Sequence, residues 1–112
     1  MNIPELKKYL NCDNKFLASI IHKFIEEVME VTETMEAASH NKKWEAVRLN
    51  AHKMLSSVRI FELKEIVVIL EKIEIDVEKH HNYDVIEQEV KKLSVLIKEV
   101  VDEMKITVKE LY

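Results

Sequence analysis

His52 is the residue from which chemistry is most readily built. On a helix advancing about 100° per residue, Trp44, Val47, Ala51, Met54 and Val58 gather on one apolar arc. His52 points about 130° away from the centre of that arc, toward solvent. Arg48 lies one turn before it and Ser56 one turn after, Arg59 returns to nearly the same direction two turns on, and Glu45 shares the face. A neutral imidazole is a competent nucleophile near neutral pH, and flanking cations favour the uncharged ring. The same cations would receive an arriving phosphoryl group. Spacing alone leaves the plainer reading open, in which an exposed histidine on a charged helix is ordinary surface.

The remaining reactive side chains form no comparable constellation. Glu78 stands three residues before His81, one step of the kind that di-iron bundles need twice. His22 and Glu26 share a helical face without a second pair to complete a metal centre, so no metal and no cofactor is expected. Cys12 lies in a turn with no base beside it, and a lone cysteine cannot form an internal disulfide. Met29, Met35, Met54 and Met104 are spaced as core filler.

The elements that must position His52 follow from what the chain lacks. It has 112 residues, no glycine and one proline. A Rossmann fingerprint, a Walker loop and Asn-Gly hairpins are therefore unavailable, and helices joined by polar turns are the economical solution. Pro4 opens a short helix to about Leu10, and Asp13 or Asn14 can cap the next. That second helix carries Phe16, Ile20, Phe24, Val28, Val31 and Met35 to a break at His40-Asn41-Lys42. The third holds His52, and a tight turn falls within Ile60 to Leu63. A fourth helix is predicted from about Glu62 to Lys79, although Ile73, Ile75 and Val77 alternate as a strand would, because a lone strand has no partner. His80 to Tyr83 is the third break, and Asp84 with Glu87 resembles a capping box. The last helix repeats Ile86, Val90, Leu93, Ile97, Val100, Met104 and Leu111 at heptad spacing. The prediction is an all-α antiparallel four-helix bundle with a short additional N-terminal helix, forming one domain over residues 1–112.

The segment from Ala51 to Phe61, preceded by Trp44 to Arg48, resembles the signature of histidine-containing phosphotransfer (HPt) domains. His52 falls on the phosphoacceptor position, Met54 on the apolar position, and Ser56 and Ser57 on the small positions. Leu70-Glu71 matches a frequent Leu-Glu pair in the following helix. At motif level the resemblance covers about Trp44 to Glu74. Two departures stand out: the family lysine three residues after the histidine is Leu55 here, and the glycine usual at the turn is Glu62. Arg48 and Arg59 are the candidates for the missing cation, with Lys53 about a quarter turn aside. Glu74 occupies a place where some relatives carry a polar side chain near the histidine.

The resemblance implies a phosphorelay carrier in two-component signalling and not an enzyme in its own right. The Nε2 atom of His52 would take a phosphoryl group from a receiver-domain aspartate and yield it to a second receiver. The receiver's own site would supply the divalent metal and acid cluster. Arg48, Lys53, Ser56 and Arg59 would form the phosphate neighbourhood, and Leu49, Leu55 and Glu45 would meet the partner. Expected partners are receiver domains of response regulators, a hybrid sensor histidine kinase, or both. The alternative is an adaptor or scaffold that dimerises through the heptads of the last helix.

Composition bounds the setting. A formal charge of −4 disfavours nucleic acid. The longest run of large apolar residues, Ile66 to Leu70, is far too short for a membrane span, and the first residues carry no apolar run suited to a secretory signal. A cytoplasmic monomer without membrane contact is the expectation.

Overall fold

The computed structural model describes residues 2–80 and 82–112, and His81 with its Glu-x-x-His step lies outside the described residues. Five helices follow in order: α1 (Ile3–Leu10), α2 (Asn14–His40), α3 (Trp44–Ile60), α4 (Lys64–Glu78) and α5 (Tyr83–Glu110). The β-branched run of α4 is helical, as the absence of a pairing partner requires. Its first helical residue is Lys64, two residues later than expected, because the turn occupies Phe61 to Leu63.

Helix α2 packs on α3, α3 on α4, α4 on α5, and α5 back on α2. Three or four residues connect each consecutive pair, so the chain reverses at every step and the four helices close into a ring. The long axis of 45 Å matches α5, whose 28 residues span about 42 Å at 1.5 Å each. Helices α3 and α4 are much shorter, at 17 and 15 residues. The start of α2 and the end of α5 consequently run on together past the α3–α4 turn, and the Asn14 side-chain amide donates to the Leu111 carbonyl at 3.3 Å. Helix α1 lies beside that turn, with its Leu6 buried in the common core and lining one cleft with Phe61.

Without glycine, the turns are made by residues in the left-handed region: Asn11, Lys42, Glu62, His80 and Asn82 all have φ between 52° and 62°. At three helix ends the following residue reaches back to close the last turn. Cys12 N–H donates to Lys7, Lys43 N–H to Ala38 and Leu63 N–H to Val58, at 3.1, 2.8 and 3.2 Å. Asp13 caps α2 by accepting from the Phe16 N–H at 2.9 Å. The capping box of Asp84 and Glu87 does not form: Asn82 occupies the cap in a left-handed conformation with no side-chain bond.

The apolar stripes are buried with local shifts. On α5 the seam passes from the expected Val100 and Leu111 to Val101 and Val108. A straight α-helix drifts about 20° per heptad, so a strict heptad count loses the buried face within three repeats. This stripe is buried in the bundle's own core. Phe16 and Met29 are 57% and 44% exposed and do not fill the core. Trp44 is only partly buried and stacks on Tyr83, centroid to centroid 4.8 Å, tying the starts of α3 and α5 together.

Candidate functional site

Val47, Ala51, Met54 and Val58 are fully buried on α3, which turns the opposite face of the helix outward. His52 stands on that face with its side chain 69% exposed. Its Nδ1 lies 2.7 Å from Oε1 of Glu74 on α4. An ionised carboxylate only accepts hydrogen bonds, so Nδ1 carries the proton and donates it. In the neutral ring this contact puts the proton on Nδ1 and the lone pair on Nε2. Glu74 is itself well covered, at 16% side-chain exposure, so the packing of α4 on α3 holds the carboxylate that orients the ring.

Arg48 joins the same pair. Its Nη1 is 3.6 Å from the Glu74 oxygen that accepts from His52, and 3.9 Å from Glu78. Its Nη2 donates to Glu45 Oε1 at 2.6 Å and its Nε to both Glu45 oxygens at 3.1 and 3.0 Å. The guanidinium is thus shared among three carboxylates from two helices. The hydrogen bond to Glu45 raises Arg48 further above its usual range. Reciprocally, that bond holds the Glu45 carboxyl below its ordinary value, with the charges of Arg48 and His80 acting in the same direction.

The charged group in contact with the ring is therefore a carboxylate, where sequence reasoning placed cations. Arg59 pairs with Glu71 at 3.4 Å, two turns along α3 from His52. Lys53 faces the other flank, lining a shallow depression with Lys23, Glu26, Glu27 and Glu30 of α2. Ser56 is exposed one turn beyond the histidine. Of the expected phosphate neighbourhood, Arg48 reaches the Glu74 oxygen that is bonded to the ring.

The expected docking residues divide. Leu49 is 53% exposed beside His52, and Glu45 is exposed. Leu55 is buried at 5% and belongs to the core, because it lies close to the buried arc of Ala51, Met54 and Val58 on α3. Ile60, Val68 and Ile75 are exposed apolar side chains on α3 and α4 that the sequence reading did not single out. Glu78 was not read as part of the site either, although Glu71, Glu74 and Glu78 recur at helical spacing on one side of α4.

Among the described residues no three histidine, cysteine, aspartate or glutamate side chains converge as a metal site would need. No described helix is long and apolar enough to cross a membrane. The family model described as Hpt domain matches residues 19–106. No curated protein and no solved structure matches the chain.

Proposed function

The chain belongs to the Hpt domain family, carriers of histidine phosphotransfer in two-component phosphorelays, and on that premise we propose that His52 is its phosphoacceptor. One observation carries this reading: an outward-facing imidazole whose Nδ1–H is held by Glu74 at 2.7 Å, leaving Nε2 free to attack. The donor is the aspartyl phosphate of a receiver domain, a mixed anhydride. The Nε2 lone pair approaches phosphorus in line, the N–P bond forms, and the P–O bond breaks with its electron pair leaving on the aspartate carboxylate. The ring keeps its Nδ1 proton and becomes cationic as it is phosphorylated. Glu74 then faces a positive ring across a hydrogen bond already made, so the stabilisation grows along the reaction without reorganisation. Return of the group to a second receiver reverses these steps.

Arg48, which reaches the Glu74 oxygen bonded to the ring, takes the role of the lysine replaced by Leu55. Its links to Glu45 and Glu78 are exposed and weak in water, so the guanidinium can turn toward an arriving dianion. A carrier of this kind needs no nucleotide loop, since positioning and electrostatics do most of the work in phosphoryl transfer. Leu49 and Glu45, exposed on the same side of α3 as His52, are the contacts for the receiver.

The test is to incubate the protein with a phosphorylated receiver and assay acid-labile phosphate. Wild type gains label and His52→Gln gains none. Retention of label by the variant removes the reading.

A further inference from the structure

The cleft between α1 and the end of α3 is a concavity close to the His52 face that the reading above leaves unused. It encloses about 390 Å³. Leu6 and Phe61 form its apolar base, both more than nine-tenths buried. Tyr9 and Ile60, 74% and 42% exposed, stand at its edge. Glu5 and Glu62 complete the rim together with Arg59. Arg59 is engaged by Glu71, whereas neither Glu5 nor Glu62 has an ion-pair partner among the described residues.

Two features commit this cleft to one occupant. An apolar base beneath two unpaired carboxylates is the complement of a long aliphatic stem ending in a cation. The position also fits a protein already docked at His52. Ile60 lies eight residues along α3 from the histidine, about 12 Å. A standard interface covers about 800 Å² per partner, so a receiver centred on the ring reaches the cleft. We infer that the cleft seats a lysine or arginine side chain of the cognate receiver and serves as a second anchor that selects among receivers. The inference rests on His52 being the phosphoacceptor.

Glu62 makes the test clean. It sits at φ 53° in the α3–α4 turn, where glycine is the favoured residue, so Glu62→Gly removes a carboxylate while easing the backbone. The full chain is compared with the Glu5→Gln/Glu62→Gly double variant and with Glu5→Lys. Each is labelled first by phosphoramidate, whose P–N bond breaks to release ammonia as the bond to His52 forms. Transfer is then followed to whichever receiver of the same genome takes label fastest from wild type. Expected are a melting temperature no lower than wild type for the double variant and unchanged phosphoramidate labelling. Transfer to the receiver slows by about 3- to 10-fold at low salt, more for Glu5→Lys, and the difference fades at about 0.5 M salt. Labelling and receiver transfer both at the wild-type rate, or a slowing independent of salt, overturn the cleft alone. Failure of phosphoramidate to label His52 in wild type overturns the phosphoacceptor reading, and the cleft with it.

Discussion

At the scale of residues, the site is a hydrogen-bonded pair with a shared cation. Glu74 fixes which nitrogen of His52 is free, and a hydrogen bond to a charged group contributes about 1.5–3 kcal/mol. Glu74→Ala is therefore expected to slow phosphoryl acceptance by about 10- to 100-fold. Glu74→Gln, which keeps the shape and an acceptor oxygen, should lose less. Transfer rates from a phosphorylated receiver, read beside ¹⁵N shifts that report the tautomer of His52, check both. The Arg48–Glu45 pair makes a second prediction. Because the folded state holds the Glu45 carboxyl below its usual value, the pair stabilises the fold above the ordinary carboxylate range. That contribution is lost as pH falls through the lowered value, where the carboxylate takes up its proton. Glu45→Gln should accordingly show a shallower fall in melting temperature than wild type on acidification from pH 6 to pH 3, about the span in which carboxylates titrate. A steeper fall in the variant would contradict the assignment.

At the scale of elements, the turns carry a cost that the sequence displays openly. Lys42 and Glu62 occupy positions with φ of 59° and 53°, and a left-handed residue with a Cβ costs about 1–2 kcal/mol. Lys42→Gly is far from the cleft and from His52, and should stabilise the fold by about 1 kcal/mol, measured by urea unfolding. Asp13 works in the opposite direction. It caps the 27-residue α2 through the Phe16 N–H, and Asp13→Ala should cost about 1 kcal/mol in the same measurement. The breaks themselves were legible, because Asn11 to Asn14, His40 to Lys42 and His80 to Tyr83 are polar interruptions of apolar periodicity. The details at the turns were not. A capping box is a pattern of residue types, and Asp84 with Glu87 satisfies it on paper while Asn82 turns the chain left-handed and leaves it unformed.

At the scale of the molecule, a closed ring of four helices keeps α3 from being buried on all sides and so leaves His52 facing solvent. The core holds that geometry: Leu70, Met54 and Ile73 are fully buried between α3, α4 and their neighbours. Leu70→Ala should destabilise by about 2–5 kcal/mol and loosen the α3–α4 register, so transfer should fall together with the unfolding midpoint. With the α5 stripe spent inside the bundle, sedimentation is expected to show a monomer, and a dimer hiding His52 would defeat the carrier reading. The sequence by itself determined the elements: apolar residues three and four apart, with no glycine, specify helices and choose the face each must bury. It also determined that His52 points outward, since direction around one helix is a local property. Only the tertiary structure decided what His52 touches. Glu74 is 22 residues away in the chain, and the approach of the two depends on how α4 slides and rolls against α3, a register set by side-chain packing across the whole core. The same packing made Leu55 interior, brought Arg48 to Glu74 and Glu78 and opened the cleft under α1, because each of these is a relation between helices.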